Sequence, residues 1–187
     1  ELFAASEVVM VDPTSPDNAF QSPEKGSVGK MLNGEIKFFR NVRRPEFLAR
    51  RPEIPAQVEI LWASIGGGEY IISSLSQNKD LEGFVLAGFG AGNILPTWIP
   101  HLRNILRRRI PVAIVSRCFQ GHVHVTNSFE GGFMKLEEMG VMPAGKLTPY
   151  QARIRMSLGI AAGLTERGLR LYMLNQSVSD DTPVLYK

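Results

Sequence analysis

Leu81-Glu-Gly-Phe-Val-Leu-Ala-Gly-Phe-Gly-Ala-Gly-Asn93, an amphipathic segment, and then Pro111-Val-Ala-Ile-Val-Ser-Arg-Cys-Phe-Gln120 form the stretch on which the fold turns. Residues 84–87 are a short apolar run between turn residues, the pattern of a buried strand. Gly88, Gly90 and Gly92 follow at alternate positions, where the backbone must turn sharply or pass close to something. Pro96 stands where a helix can begin. Residues 98–109 read as a helix with Ile99, Leu102, Ile105 and Leu106 on one face and arginines opposite. Residues 112–115 are a second buried run, consistent with a neighbouring parallel strand. Strand, glycine turn, helix and strand make a βαβ unit, whose ligands lie beyond the carboxyl ends of the strands. Asn93, Ser116 and Arg117 all fall on that rim.

The same alternation extends both ways. Residues 58–63 predict a strand, Gly66-Gly67-Gly68 a turn, and 69–77 a helix with Tyr70, Ile71 and Leu75 inward. Residues 129–139 predict a helix ended by Gly140, with a short edge strand at Val141-Met142-Pro143. Thr148-Pro149 opens a helix to about residue 162 that buries Ala152, Met156, Leu158 and Ile160. Thr165-Glu166 opens a last helix to about residue 175, and the tail from 177 reads as loose. The sum is a three-layer α/β domain over 56–187, a small parallel sheet flanked by helices.

Upstream the pattern changes. Residues 8–11 read as a lone buried strand with no hairpin partner, 12–22 as a loop, and Asn33-Gly34 between apolar arms as a two-residue β-hairpin. Residues 41–55 hold four arginines and three prolines and read as an interdomain linker, with the boundary near Arg51. The chain opens on Glu1, almost at once in a strand, so 1–40 read as the remnant of an N-terminal domain.

The net charge of +3 is too small to argue for nucleic acid. The arginine clusters at 40–51 and 103–109 read as solvated faces. Cys118 is the single cysteine, which leaves no internal disulfide and no thiolate cage. His101, His122 and His124 lack zinc-helix spacing; the last two share one face and read as an exposed surface pair, with a metal pair as the alternative. No metal site and no cofactor is expected. Gly88-x-Gly90-x-Gly92 does not fit the dinucleotide spacing, no acidic residue follows at the required distance, and a Walker lysine is missing. No stretch is long and apolar enough to span a bilayer.

Gly83 to Asn93 resembles the Gly-(Asn/Ala)-Gly-Asn turn in the C-terminal domain of bacterial-type L-asparaginases, a flavodoxin-like domain. Pro111 to Gly121 resembles the strand and loop that follow it. Asp17-Asn-Ala-Phe-Gln-Ser-Pro23, Gly26-Ser-Val-Gly29 and Asn33-Gly34 resemble the interdomain region. Gly145-Lys-Leu-Thr-Pro-Tyr-Gln-Ala-Arg153 resembles the start of the late helix. The matches keep family order across most of residues 7–165.

The resemblance implies a two-domain amidohydrolase that converts asparagine, or glutamine, to the acid and ammonia in a cytoplasmic homodimer or homotetramer. It places the threonine nucleophile in the N-terminal catalytic domain. Neither Thr-Gly-Gly-Thr nor Thr-Asp-Thr occurs here, so no catalytic residue is expected in this chain. Asn93 matches the asparagine that completes the partner's pocket, and Glu130 is the nearest candidate for the carboxylate that meets the substrate ammonium. Asn93 can also be read as a cap for the next helix. Cys118, in a loop that resembles the cytosolic branch, is expected as a small buried apolar residue. The alternatives are a non-catalytic amino-acid-sensing or interaction module, and an amidase acting on an amide carried by tRNA.

Overall fold

The computed structural model describes residues 1–42, 48, 55–125 and 128–174, and the chain divides into two units, Glu1–Pro45 and Glu46–Lys187. Most of the expected linker 41–55, and the tail from 177, lie outside the described residues.

In the first unit β1 (Val9–Met10) pairs antiparallel with β2 (Phe20–Gln21). The strand expected to stand alone therefore has a partner, drawn from the segment read as pure loop. It is also not buried, since Met10 and Val11 are exposed. β3 (Gly29–Leu32) and β4 (Glu35–Phe38) form the expected hairpin. Asn33 (φ 52°) and Gly34 (φ 82°) supply the two left-handed positions that a tight two-residue turn requires. Arg40 and Lys25 both pair with Glu7, whose side chain is only 10% exposed. The Arg40 guanidinium holds the Glu7 carboxyl below its ordinary pKa against the opposing effect of burial.

The second unit runs β5 (Val58–Trp62), α1 (Glu69–Gln77), β6 (Gly83–Gly88), a 3-10 turn (Pro96–Trp98), α2 (Ile99–Arg107), β7 (Val112–Ser116), α3 (Phe133–Glu138), β8 (Met142–Pro143), α4 (Pro149–Ala161) and α5 (Glu166–Met173). Its sheet is parallel, in the order β5-β6-β7-β8. Period-two alternation splits the apolar residues between two cores. Phe84, Leu86, Val112 and Ile114 pack with Ile72, Trp98, Leu102 and Leu136. Val85, Ala87, Ala113 and Val115 pack with Ala152, Met156, Leu169 and Met173. Crossovers of one hand between successive neighbours put α1, α2 and α3 on one face. The other face is left to α4 and α5, and the three-layer α/β expectation holds.

Several details differ from the sequence reading. Ile72 and Ser76 are the buried residues of α1, while Tyr70 is 93% exposed and Ile71 is also exposed. The helix is turned by about one residue, with Gly68 lying so close under the Trp98 ring that a Cβ there would collide with it. In α4, Ser157 and Gly159 are buried, and Leu158 and Ile160 only partly so. Small residues are needed there: a Cβ on Gly159 would lie 2.6 Å from Leu169 Cδ1, and Ser157 Oγ donates to Ala56 O. α3 starts only at Phe133, because Gly131 (φ 101°) and the extended Gly132 interrupt the run. Arg108 is not merely a solvated charge, since its guanidinium donates to Ser76 O (2.9 Å) and Asn78 O (2.6 Å) at the end of α1. Among the described residues no helix is long and apolar enough to cross a membrane.

The Glu7 pair has a measurable signature. A depressed carboxyl contributes stability that is present above its unfolded pKa and lost as pH falls through the lowered folded value. The Glu7 side-chain carbon resonance should titrate below the ordinary glutamate midpoint, and Arg40→Gln should raise that midpoint. An unshifted midpoint in the unaltered protein would refute the pair.

Candidate functional site

At Gly88 the chain leaves the sheet and has seven residues in which to reach the 3-10 turn at Pro96. It uses a turn closed on itself. Phe89 N–H donates to Asn93 O (2.8 Å), and Gly92 and Asn93 N–H donate to Phe89 O (2.9 and 3.0 Å). Gly90 (φ 47°) and Gly92 (φ 105°) take left-handed conformations. Gly92 also has no room for a side chain, because a Cβ there would lie 2.6 Å from Val123 Cγ1.

Two further segments brace this turn. Past β7, Arg117 N–H donates to Gly88 O (3.0 Å), while its guanidinium donates to Ala63 O (2.7 Å) and lies 4.4 Å over the Phe89 ring. One side chain thus joins the carboxyl ends of β5, β6 and β7. The buried Ser116 hydroxyl accepts from Cys118 N–H (3.1 Å), Val123 packs on Gly92, and His124 N–H donates to Ala91 O (3.1 Å). On the other side Gly131 O accepts from Ile94 N–H (2.9 Å), next in chain to Asn93.

Asn93 is half-buried, and its side-chain oxygen is shielded from solvent with no hydrogen-bond partner among the described residues. It caps nothing: the 3-10 turn begins after Leu95 and α2 after Trp98, neither with a side-chain cap. A shielded carboxamide oxygen without a donor costs about 1–3 kcal/mol. Such an atom in a native protein calls for a donor from water or a ligand. Glu130 is brought near through its neighbour Gly131, but its own side chain is 62% exposed and pairs with Arg103 at 3.6 Å. An exposed pair of this kind contributes about 0–1 kcal/mol, so it leaves the carboxylate free to exchange partners.

Other candidates sort themselves. Thr148 and Thr165 accept N–H groups of Gln151 and Gly168 as helix caps, and the Thr14 hydroxyl donates to Asp12 (2.7 Å). Cys118 is exposed, not buried, because it lies beyond the last sheet residue on the rim loop. His122 and His124 are exposed. The bracing role of Arg117 was not read from the sequence; its place just past an apolar strand was the available signal. A cavity of about 460 Å³ lined by Leu106, Ile110, Met139, Met142, Ile160 and Leu169 opens at the amino ends of β7 and β8, away from this rim.

Residues 57–173 match the glutaminase/asparaginase C-terminal domain family, and the chain belongs to it. Over 176 residues it is 27% identical to a probable L-asparaginase of Deinococcus radiodurans, covering 91% of this chain and 52% of the relative. Over 79 residues it is 33% identical to a glutamyl-tRNA(Gln) amidotransferase component of Thermofilum pendens, covering 42% of this chain and 17% of the relative. The crystal structure of a probable cytoplasmic L-asparaginase from Campylobacter jejuni superposes with a TM-score of 0.75 at 24% identity, covering 92% of this chain and 54% of that one. That is a likeness of fold. The chain spans about half the length of these asparaginase relatives.

The turn supports one prediction. Gly92→Ala combines a left-handed backbone with the clash on Val123, and should lower stability by on the order of 2 kcal/mol in urea unfolding. Gly90→Ala has the φ strain without the clash and should cost less. Equal losses at the two positions would contradict the close approach at Gly92.

Proposed function

We propose that this chain supplies the substrate-facing C-terminal part of an amidohydrolase that releases ammonia from the side-chain amide of L-asparagine or a related small amide such as glutamine. The observation that carries this reading is the shielded oxygen of Asn93 at the carboxyl end of the sheet, which has no partner among the described residues. It is an acceptor fixed by a closed turn, suited to a ligand that brings a donor, and the α-ammonium of an amino acid is such a donor. Glu130, in an exposed ion pair with Arg103, is the second candidate for that ammonium.

The chemistry proposed for the complete enzyme is acyl transfer through a threonine ester, with an oxyanion hole and water in the second half-reaction. The nucleophile belongs to an N-terminal catalytic domain outside this chain, of which residues 1–40 are the adjoining part and 41–55 the linker to the 56–187 domain. A cytoplasmic homodimer or homotetramer, with Asn93 presented to a neighbouring protomer, fits this arrangement. A second reading, an amidase acting on an amide carried by tRNA, draws on the likeness to the glutamyl-tRNA(Gln) amidotransferase component. On that reading the arginines of 40–51 contact nucleic acid, and binding falls steeply with salt.

Kinetics of the complete enzyme test the first reading. Asn93→Ala should raise KM and lower kcat/KM for asparagine by about 10–100-fold, the loss of a hydrogen bond to a charged group. Unchanged constants would remove Asn93 from the site, and no ammonia release by the unaltered enzyme would favour a sensing module.

A further inference from the structure

His122 and His124 stand two residues apart on the segment after β7, where both are exposed and Val123 between them is buried, so their side chains share the solvent face. The segment is anchored from beneath: Val123 is buried against Gly92, and His124 N–H is bonded to Ala91 O. The two imidazoles are exposed, with ring centroids 5.6 Å apart and planes inclined by 51°. His124 Nδ1 lies 3.0 Å from the His122 carbonyl oxygen. A carbonyl only accepts, so Nδ1 carries the hydrogen and the neutral ring presents its Nε2 lone pair. Metal-ligating histidines are commonly oriented in this way, with the other ring N–H on a backbone carbonyl.

Two imidazoles on adjacent positions of one ion, each nitrogen at about 2.0–2.1 Å, hold their ring centres roughly 5 Å apart in either tetragonal or tetrahedral geometry. The observed 5.6 Å is close to that spacing. We propose that His122 and His124 form a two-nitrogen site for one divalent transition-metal ion. No group of three or more histidine, cysteine, aspartate or glutamate side chains able to hold a metal occurs among the described residues, so water fills the remaining positions. A pair of imidazoles ranks the ions with copper(II) above nickel(II) and zinc(II). The site uses neither Asn93 nor Glu130 and does not depend on amide hydrolysis.

Titration of the untagged chain with copper(II) in a non-coordinating buffer, followed by calorimetry and electron paramagnetic resonance, tests this. The expected result is one saturable ion per chain with splitting from two nitrogens. His122→Gln and His124→Gln should each weaken binding by at least about tenfold, while His101→Gln leaves it unchanged. Both variants alter exposed side chains, so circular dichroism should match that of the unaltered chain. Saturable binding that survives both substitutions, or its absence at millimolar copper(II), overturns the site.

Discussion

A parallel sheet buries both of its faces, and in this chain the two are covered by different means. Because β5 to β8 lie in chain order, crossovers of one hand deliver all their helices to the same side. The chain must then bring α4 and α5 across the side that the crossovers leave bare. That second layer lies close, on small residues: a Cβ on Gly83 would come within 2.8 Å of Ile160 Cδ1 and 3.0 Å of Met156 Sδ. The Thr148–Gln151 capping box sets where α4 begins.

The strand order also shapes the candidate rim. With no reversal between neighbours, the sheet opens no crevice of its own at its carboxyl edge. What stands there is the closed turn carrying Asn93, braced by Arg117 from one side and Gly131 from the other. On the proposed function, this acceptor forms one wall of a pocket that other parts of the enzyme complete.

The central strands were legible because β6 and β7 are apolar runs bounded by glycine, proline or charge, and both alternate large and small residues to match their two cores; β2, in a stretch rich in turn residues, was not. The phase of α1 was not. Tyr70, Ile71 and Ile72 offer a nine-residue helix more than one apolar face, and the choice is made by Trp98, distant in sequence. Ser157 and Gly159 were not among the residues expected to be buried, because closeness of packing leaves no hydrophobic mark. Position placed Asn93 on the rim. Its lack of a partner was not legible, because that depends on what segments 117–124 and 129–132 fail to offer its side chain.

The first unit carries a different consequence. In β3, β4 and the residue after them, Met31, Ile36, Phe38 and Phe39 are all exposed, and among the described residues no further strand pairs along β4. Bare backbone beside uncovered aromatic and aliphatic groups is a template for intermolecular cross-β growth. Unless that border is occupied, this hairpin is where precipitation would nucleate in a concentrated preparation, and a lysine placed at Ile36 would act as its gatekeeper.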